Sequence, residues 1–179
     1  MNMVVDIRDQ ITLTTERLVL RPVRRSDMGL IGLYAGDIRV SAPTRSIPHP
    51  LPPGAVETFV ESCQSPGRKE DVWVLDGSRH GLPEVVGLIG LERMDRGQAE
   101  LGYWLGHGFW GQGFARESVA AILDANPQGS DTIFAEVFQD NPRSAKILTE
   151  QGFTYLGDAE NWCVSRHKNI ATWTYLKSM

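Results

Sequence analysis

The clearest chemistry in the chain is a glycine-rich turn, Gly106-His-Gly-Phe-Trp-Gly-Gln-Gly113, between an expected strand and an expected helix. At such a turn backbone N–H groups converge, the helix dipole adds positive potential, and missing side chains let a ligand approach closely, so a diphosphate fits there. The letters fit two frames. Gly106-x-Gly108-x-x-Gly111 matches the dinucleotide fingerprint, with Glu136 placed to imitate its ribose carboxylate. That fold needs further parallel βαβ units downstream, and only about forty residues follow Val137. The second frame starts at Trp110 and runs Trp110-Gly-Gln-Gly113-Phe-Ala115. Without any ligand, the same glycines read as a tight turn that needs positive φ.

Two further groups carry chemistry. Glu100 stands at the head of an apolar strand, where partial desolvation raises a carboxyl pKa toward a useful value; Glu92 is a weaker candidate. If Arg96-Gly97 is a two-residue turn, Arg93 lies opposite Glu100 and the two form a plain cross-strand ion pair, so both readings stand. In Asn141-x-x-Ser144 the serine falls in the first turn of a helix, near the positive end of its dipole, and ordinary capping is the alternative reading of the pair. His49, His80 and His167 read as loop or turn residues, and Tyr34, Trp104 and Trp162 as cleft wall or core. Neither Cys63 nor Cys163 lies in a CxxC or Cys/His pattern, so no metal site is spaced in the chain. No GxSxG elbow and no P-loop lysine is present, which removes the essential parts of hydrolase and nucleotide-kinase readings.

The elements that must position these groups follow from pattern. Arg17 to Val23 alternates as a strand, Met28 to about Gly36 suits a short helix capped by Ser26-Asp27, and the proline-rich Ile47 to Gly54 is a stiff loop leading into a helix at Ala55 to Cys63. Strands at Val72 to Leu75, Val85 to Leu91 and Ala99 to Leu105 are joined too closely for crossovers, so they form an antiparallel meander. A helix over Phe114 to Ala125 separates the last of them from Thr132 to Val137, which therefore runs parallel to it. Asn141-Pro142 opens a helix that stops at Gly152, and Phe153 to Val164 with Ile170 to Leu176 close the sheet as a hairpin. An exposed edge in that hairpin permits a homodimer.

Composition excludes several classes. The 179 residues suit one domain, 1–179. Eighteen basic and 22 acidic side chains give a net charge of −4 with no basic run, which disfavours nucleic acid. Val85 to Leu91, the most apolar run, is too short to span a bilayer. Met1 to Gln10 has no continuous apolar stretch for a signal peptide, and with only two cysteines the expected location is cytoplasmic.

Four spaced motifs, Thr15-Glu-Arg-Leu-Val-Leu-Arg-Pro22, Glu100-Leu-Gly-Tyr-Trp-Leu105, Trp110-Gly-Gln-Gly-Phe-Ala115 and Asn141-x-x-Ser-Ala-x-x-Leu-x-x-x-Gly-Phe153, resemble the GNAT acetyltransferases, most closely the RimJ/RimL-like ribosomal-protein branch. The likeness runs from about Thr14 to Tyr175. It implies an α+β fold with a central mixed, largely antiparallel sheet, splayed parallel strands and helices on both faces. It also implies acetyl-CoA in the splay and transfer to a primary amine, the N-terminal α-amine of a protein or peptide above all. Small amines such as antibiotics or polyamines remain as acceptors, and a non-catalytic acyl-CoA-binding module is the rival from another class. Acceptor choice is expected to lie in the loop from Ala42 to Gly54 and the last hairpin.

The resemblance places pyrophosphate contacts on His107, Trp110, Gly111, Gln112, Gly113, Phe114, Ala115 and Arg116, and pantetheine contact on Asn141. An oxyanion donor is expected from a backbone N–H at Trp104 or Leu105, the base role falls to Glu100, and Ser144 serves as acid toward the thiolate. Two departures matter. Trp110 stands where the wider family has Gln or Arg, and Leu148 stands where many members have Tyr, which adds weight to Ser144.

Overall fold

The computed structural model describes residues 9–179; the opening segment read above for a missing leader lies almost wholly outside them. Among the described residues eight strands form one sheet in the order β1-β2-β3-β4-β5-β6-β8-β7: β1 (Leu13–Thr14), β2 (Val19–Pro22), β3 (Glu70–Asp76), β4 (Gly87–Arg93), β5 (Gln98–Leu105), β6 (Thr132–Phe138), β7 (Thr154–Cys163) and β8 (Lys168–Ser178). Every neighbouring pair is antiparallel except β5 and β6, as the intervening helix requires. The helices are α1 (Met28–Ala35), α2 (Ile38–Ser41), α3 (Ala55–Gln64), α4 (Phe114–Ala125) and α5 (Pro142–Glu150). The hairpin of β7 and β8 extends the sheet through β8 and leaves β7 at the edge, with Tyr155, Leu156 and Trp162 exposed.

The period-2 alternation of β5 sorts its side chains to two cores. Ala99, Leu101 and Leu105 turn to the face covered by α4 and α5, against Val119, Ile122, Ala145 and Leu148. Leu88 of β4 and Trp104 of β5 turn to the other face, against Ile31 of α1 and Val60 of α3. Helices on both faces and a mostly antiparallel sheet with one parallel pair are the fold the motifs imply.

β5 and β6 pair over only four residues, from Gln98 with Thr132 to Leu101 with Ala135. Beyond that point Gly102 to Leu105 stays on β4 and Glu136 to Phe138 stays on β8, so the two strands part. This splay opens the sheet where the glycine turn begins.

Candidate active site

The glycine turn is built for close approach to its backbone. Gly111 and Gly113 have φ of +74° and +83°, values that any side chain resists, and α4 starts directly after them. Gly106 and Gly108 lack positive φ, and a Cβ at Gly106 would instead press on the Tyr34 ring at 3.1 Å. The conformational demand therefore falls on the frame that starts at Trp110, and the sheet order removes the doubly wound alternative.

The turn is braced from both sides. Trp110 Nε1–H donates to the Leu105 carbonyl at 3.0 Å, stitching the turn to the end of β5, while the Arg143 guanidinium lies over the indole ring. Arg17 stacks on Phe114 and donates to the Gln112 carbonyl at 2.8 Å. Glu117 accepts from the Thr15 hydroxyl, the Arg17 N–H and the Arg17 Nε–H at 2.6, 2.7 and 2.8 Å. Burial works against ionisation there, but these bonds win and hold the Glu117 carboxyl below the usual range. The first sequence motif is thus the outer brace of the third.

The backbone donors of the splay follow from register. Met94 N–H donates to the Gln98 carbonyl and Gly106 N–H to the Val86 carbonyl, each at 2.9 Å, so the even-numbered residues of β5 turn their backbone groups to β4. Alternation then turns the N–H groups of Tyr103 and Leu105 into the splay. Of the two expected oxyanion donors, Leu105 turns its N–H into the splay. Trp104 belongs to the β4 ladder and offers the cleft only its indole.

A cleft of about 1210 Å³ runs from this turn through the splay to the sheet face under α1 and α3, room for more than one small ligand. Its lining includes Glu100, Trp104, Leu105, Trp110, Gly111, Gly113, Phe114, Ala115, Arg116, Asn141 and Ser144. His107 and Gln112 sit on the turn but not in that lining; His107 packs its ring 4.8 Å from Trp110, and the Gln112 amide donates to the Gly108 carbonyl. Arg116 pairs with Glu150. Asn141 is the N-cap residue of α5 but makes no side-chain bond to the helix backbone; its Nδ2–H donates instead to Ser144 Oγ at 3.1 Å.

Glu100 is not paired with Arg93. Arg96 and Gly97 do form the two left-handed turn residues, but Gln98 bonds to both Asp95 and Met94, which makes a bulge and slips the register by one. Arg93 then faces Ala99 and binds Asp71, while Glu100 faces Glu92. The cation beside Glu100 is Arg45, at 3.0 Å.

Three residues in the cleft escaped sequence reasoning. Arg45 comes from a loop with no periodicity. Tyr103 donates its phenol to the Ser144 carbonyl at 3.3 Å, and burial pushes its pKa up to about 12, so it stays a proton donor. Glu70, at the start of β3, gave no signal because its role depends on which residues lie beside it across the sheet. Glu70 pairs with Glu92 and Glu92 with Glu100, so three carboxylates form a row across three strands.

The sequence profile of the acetyltransferase (GNAT) domain matches residues 17–154. An uncharacterised N-acetyltransferase, p20, of Bacillus licheniformis is 29% identical over 153 residues, 79% of this chain and 82% of that protein. Among solved structures, Mycobacterium smegmatis RimJ in complex with CoA-disulfide superposes with a TM-score of 0.77 at 17% identity, covering 94% of this chain and 88% of that one. Spermidine N-acetyltransferase from Vibrio cholerae, in complex with CoA and spermine, gives 0.73 at 19% identity over 89% and 95%. At these identities the structural likeness concerns the fold.

Proposed function

The chain belongs to the GNAT acetyltransferase family, and from that premise we propose that it works as one domain that moves an acetyl group from acetyl-CoA to a primary amine, foremost the N-terminal α-amine of a protein or peptide. The observation that carries this reading is the continuity of one cleft from a turn with left-handed glycines, through unpaired strand N–H groups, to a row of carboxylates. Acetyl-CoA supplies an activated thioester acyl group when bound. The residues fit it: the Gly111 to Arg116 backbone meets the diphosphate, Asn141 the pantetheine, and Leu105 N–H the carbonyl oxygen as negative charge develops there. Ser144, its Oγ oriented by Asn141, gives a proton toward the departing thiolate, and Glu100 draws the amine into the cleft.

The four carboxylates of the acceptor side, on Glu70, Glu92, Glu100 and Glu136, favour a cationic amine and support a polyamine-type acceptor as the second reading. We place the protein in the cytoplasm on its two free, buried cysteines; among the described residues no helix is long and apolar enough to cross a membrane. The β7 edge with exposed Trp162 supports a homodimer. Calorimetric titration with acetyl-CoA, CoA and NADH tests the cofactor. Micromolar acetyl-CoA binding without NADH binding supports the assignment, and NADH binding alone overturns it.

A further inference from the structure

Gly90 of β4 and Gly102 of β5 are register partners, and together they leave a notch in the sheet face. A Cβ on Gly90 would stand 2.2 Å from Glu70 Oε1, so the Glu70 side chain leans from β3 across the bare glycine. A Cβ on Gly102 would meet nothing within 4 Å, so the next position is open. Gly102 is also the first residue of β5 beyond its last pair with β6, where the splay begins. Two missing side chains thus present the Glu70 carboxylate at the mouth of the splay, roughly one strand spacing of 5 Å from β5.

We infer that Glu70 is the general base of the transfer, taking the proton from the acceptor amine in the Gly90/Gly102 notch, while Glu100, held by Arg45, orients the same amine. The inference rests on the acetyl-transfer reading above and adds the residue that the reading lacks. The ammonium gives one proton to a Glu70 oxygen, which passes it to solvent. The freed lone pair forms the C–N bond to the acetyl carbon, the C–S bond breaks with its electrons on sulfur, and the second nitrogen proton is lost while the thiolate gains one. Acetylamine, free thiol and one proton in solution result, with no oxidant or further reactant.

The surroundings suit the role. Glu70 is exposed to the cleft at the start of β3, and desolvation first, then the neighbouring Glu92 and Glu100 charges and Asp71, push its carboxyl up to about 7, against an opposing pull from Arg45. The Cys63 thiol of α3 also faces it and is itself pushed up by burial, so it stays neutral. A base with a pKa near the working pH combines a large ionised fraction with adequate proton affinity.

The test compares wild type, Glu70→Gln, Glu100→Gln and Gly90→Ala, with an alanyl peptide amide and spermidine as acceptors. Glu70→Gln is expected to lower kcat/KM by about 10²-fold or more and to remove the acidic limb near pH 7, with acetyl-CoA affinity kept. Glu100→Gln should raise KM and keep that limb, moved to lower pH because one neighbouring negative charge is gone. Gly90→Ala, which displaces the Glu70 carboxyl, should reproduce the Glu70→Gln profile. In the free protein with 13C-labelled glutamate, one carboxyl should titrate near 7 and vanish in Glu70→Gln. An active wild type with unchanged Glu70→Gln kinetics overturns the base alone. A wild type that binds acetyl-CoA and acetylates neither amine overturns the transfer reading, and the base with it.

Discussion

Arg45 Nη2 stands 3.0 Å from Glu100 Oε1 while its Nη1 lies 3.9 Å from Glu136 Oε2, so one loop cation bridges β5 and β6 at the point where they part. The loop is held there by the turn of the last hairpin. Val164 N–H donates to the Arg45 carbonyl at 3.1 Å, Ser165 Oγ to the Ser41 carbonyl at 3.2 Å, and Arg166 Nε–H to the Ala42 carbonyl at 2.8 Å. The two segments expected to govern the acceptor are therefore one wall.

Removing that cation should be visible in the pH profile. Arg45 favours the ionised form of Glu70, so in Arg45→Ala the Glu70 pKa rises and the acidic limb of kcat/KM moves to higher pH. Arg45 is nearly half exposed, which keeps the move below about one pH unit and makes it smaller at high salt. A limb that moves to lower pH contradicts the assignment.

Gly113→Ala should weaken acetyl-CoA binding by about tenfold or more. The new side chain meets a left-handed backbone, worth roughly 1–2 kcal/mol, and approaches Arg17 Nη2 at 3.3 Å. Gly108→Ala, where φ is not positive and a Cβ meets nothing within 4 Å, should bind as wild type. The dinucleotide frame, which relies on Gly108, predicts a loss there. Calorimetric titration of both variants decides.

The elements were legible because each carries its own period or cap: α4 matches its expected span, and Gly152 ends the turn after α5. The site was legible where a motif is local in sequence, as at Trp110 to Ala115 and Asn141 to Ser144. It was not legible where function depends on register. The one-residue bulge at Asp95 moved Glu100 from Arg93 to Glu92, and no pattern in the chain announces it. Glu70 became readable only when Gly90 was known to lie beside it. The short α2 escaped because four residues hold no period; Asp37, accepting from Arg39 N–H at 2.9 Å, is its cap.

The second half of the first motif is structural. Arg21, almost fully buried, donates to Asp27 at 2.8 and 2.9 Å and to Asp76 at 2.8 Å. Removing Asp27 leaves the buried Arg21 guanidinium with Asp76 alone, so Asp27→Ala should cost up to about 3–5 kcal/mol in denaturant unfolding, whereas Arg39→Ala on the surface should change it little. Burial opposes ionisation of Asp76, but the bonds from Arg21 and Ser78 hold its carboxyl below the usual range. A depressed carboxyl gives stability that is present above its unfolded pKa and lost as pH falls through the folded one. Asp76→Asn should therefore flatten the acid limb of the stability profile.

Glu70 has the opposite sign. Its folded carboxyl is raised from about 4.5 to about 7, so the folded state loses stability as pH rises through that window. Glu70→Gln should raise the Tm at pH 8 relative to wild type and leave it nearly unchanged at pH 4. An unchanged difference across this range contradicts the raised carboxyl.

Ser144→Ala and Tyr103→Phe separate the two hydroxyl donors at the start of α5. If Ser144 assists the thiolate, Ser144→Ala lowers kcat by about tenfold or more without altering acetyl-CoA affinity, while Tyr103→Phe, which loses a bond to a backbone carbonyl, changes kcat little. The reverse order moves the acid role to Tyr103.

Amine acetylation is tested most directly by thiol release from acetyl-CoA with and without an alanyl peptide amide or spermidine. Release should depend on the amine, saturate with it, and be lost in Gly113→Ala at low acetyl-CoA. Tight acetyl-CoA binding with no amine-dependent thiol release would contradict it and leave a binding module in place of an enzyme.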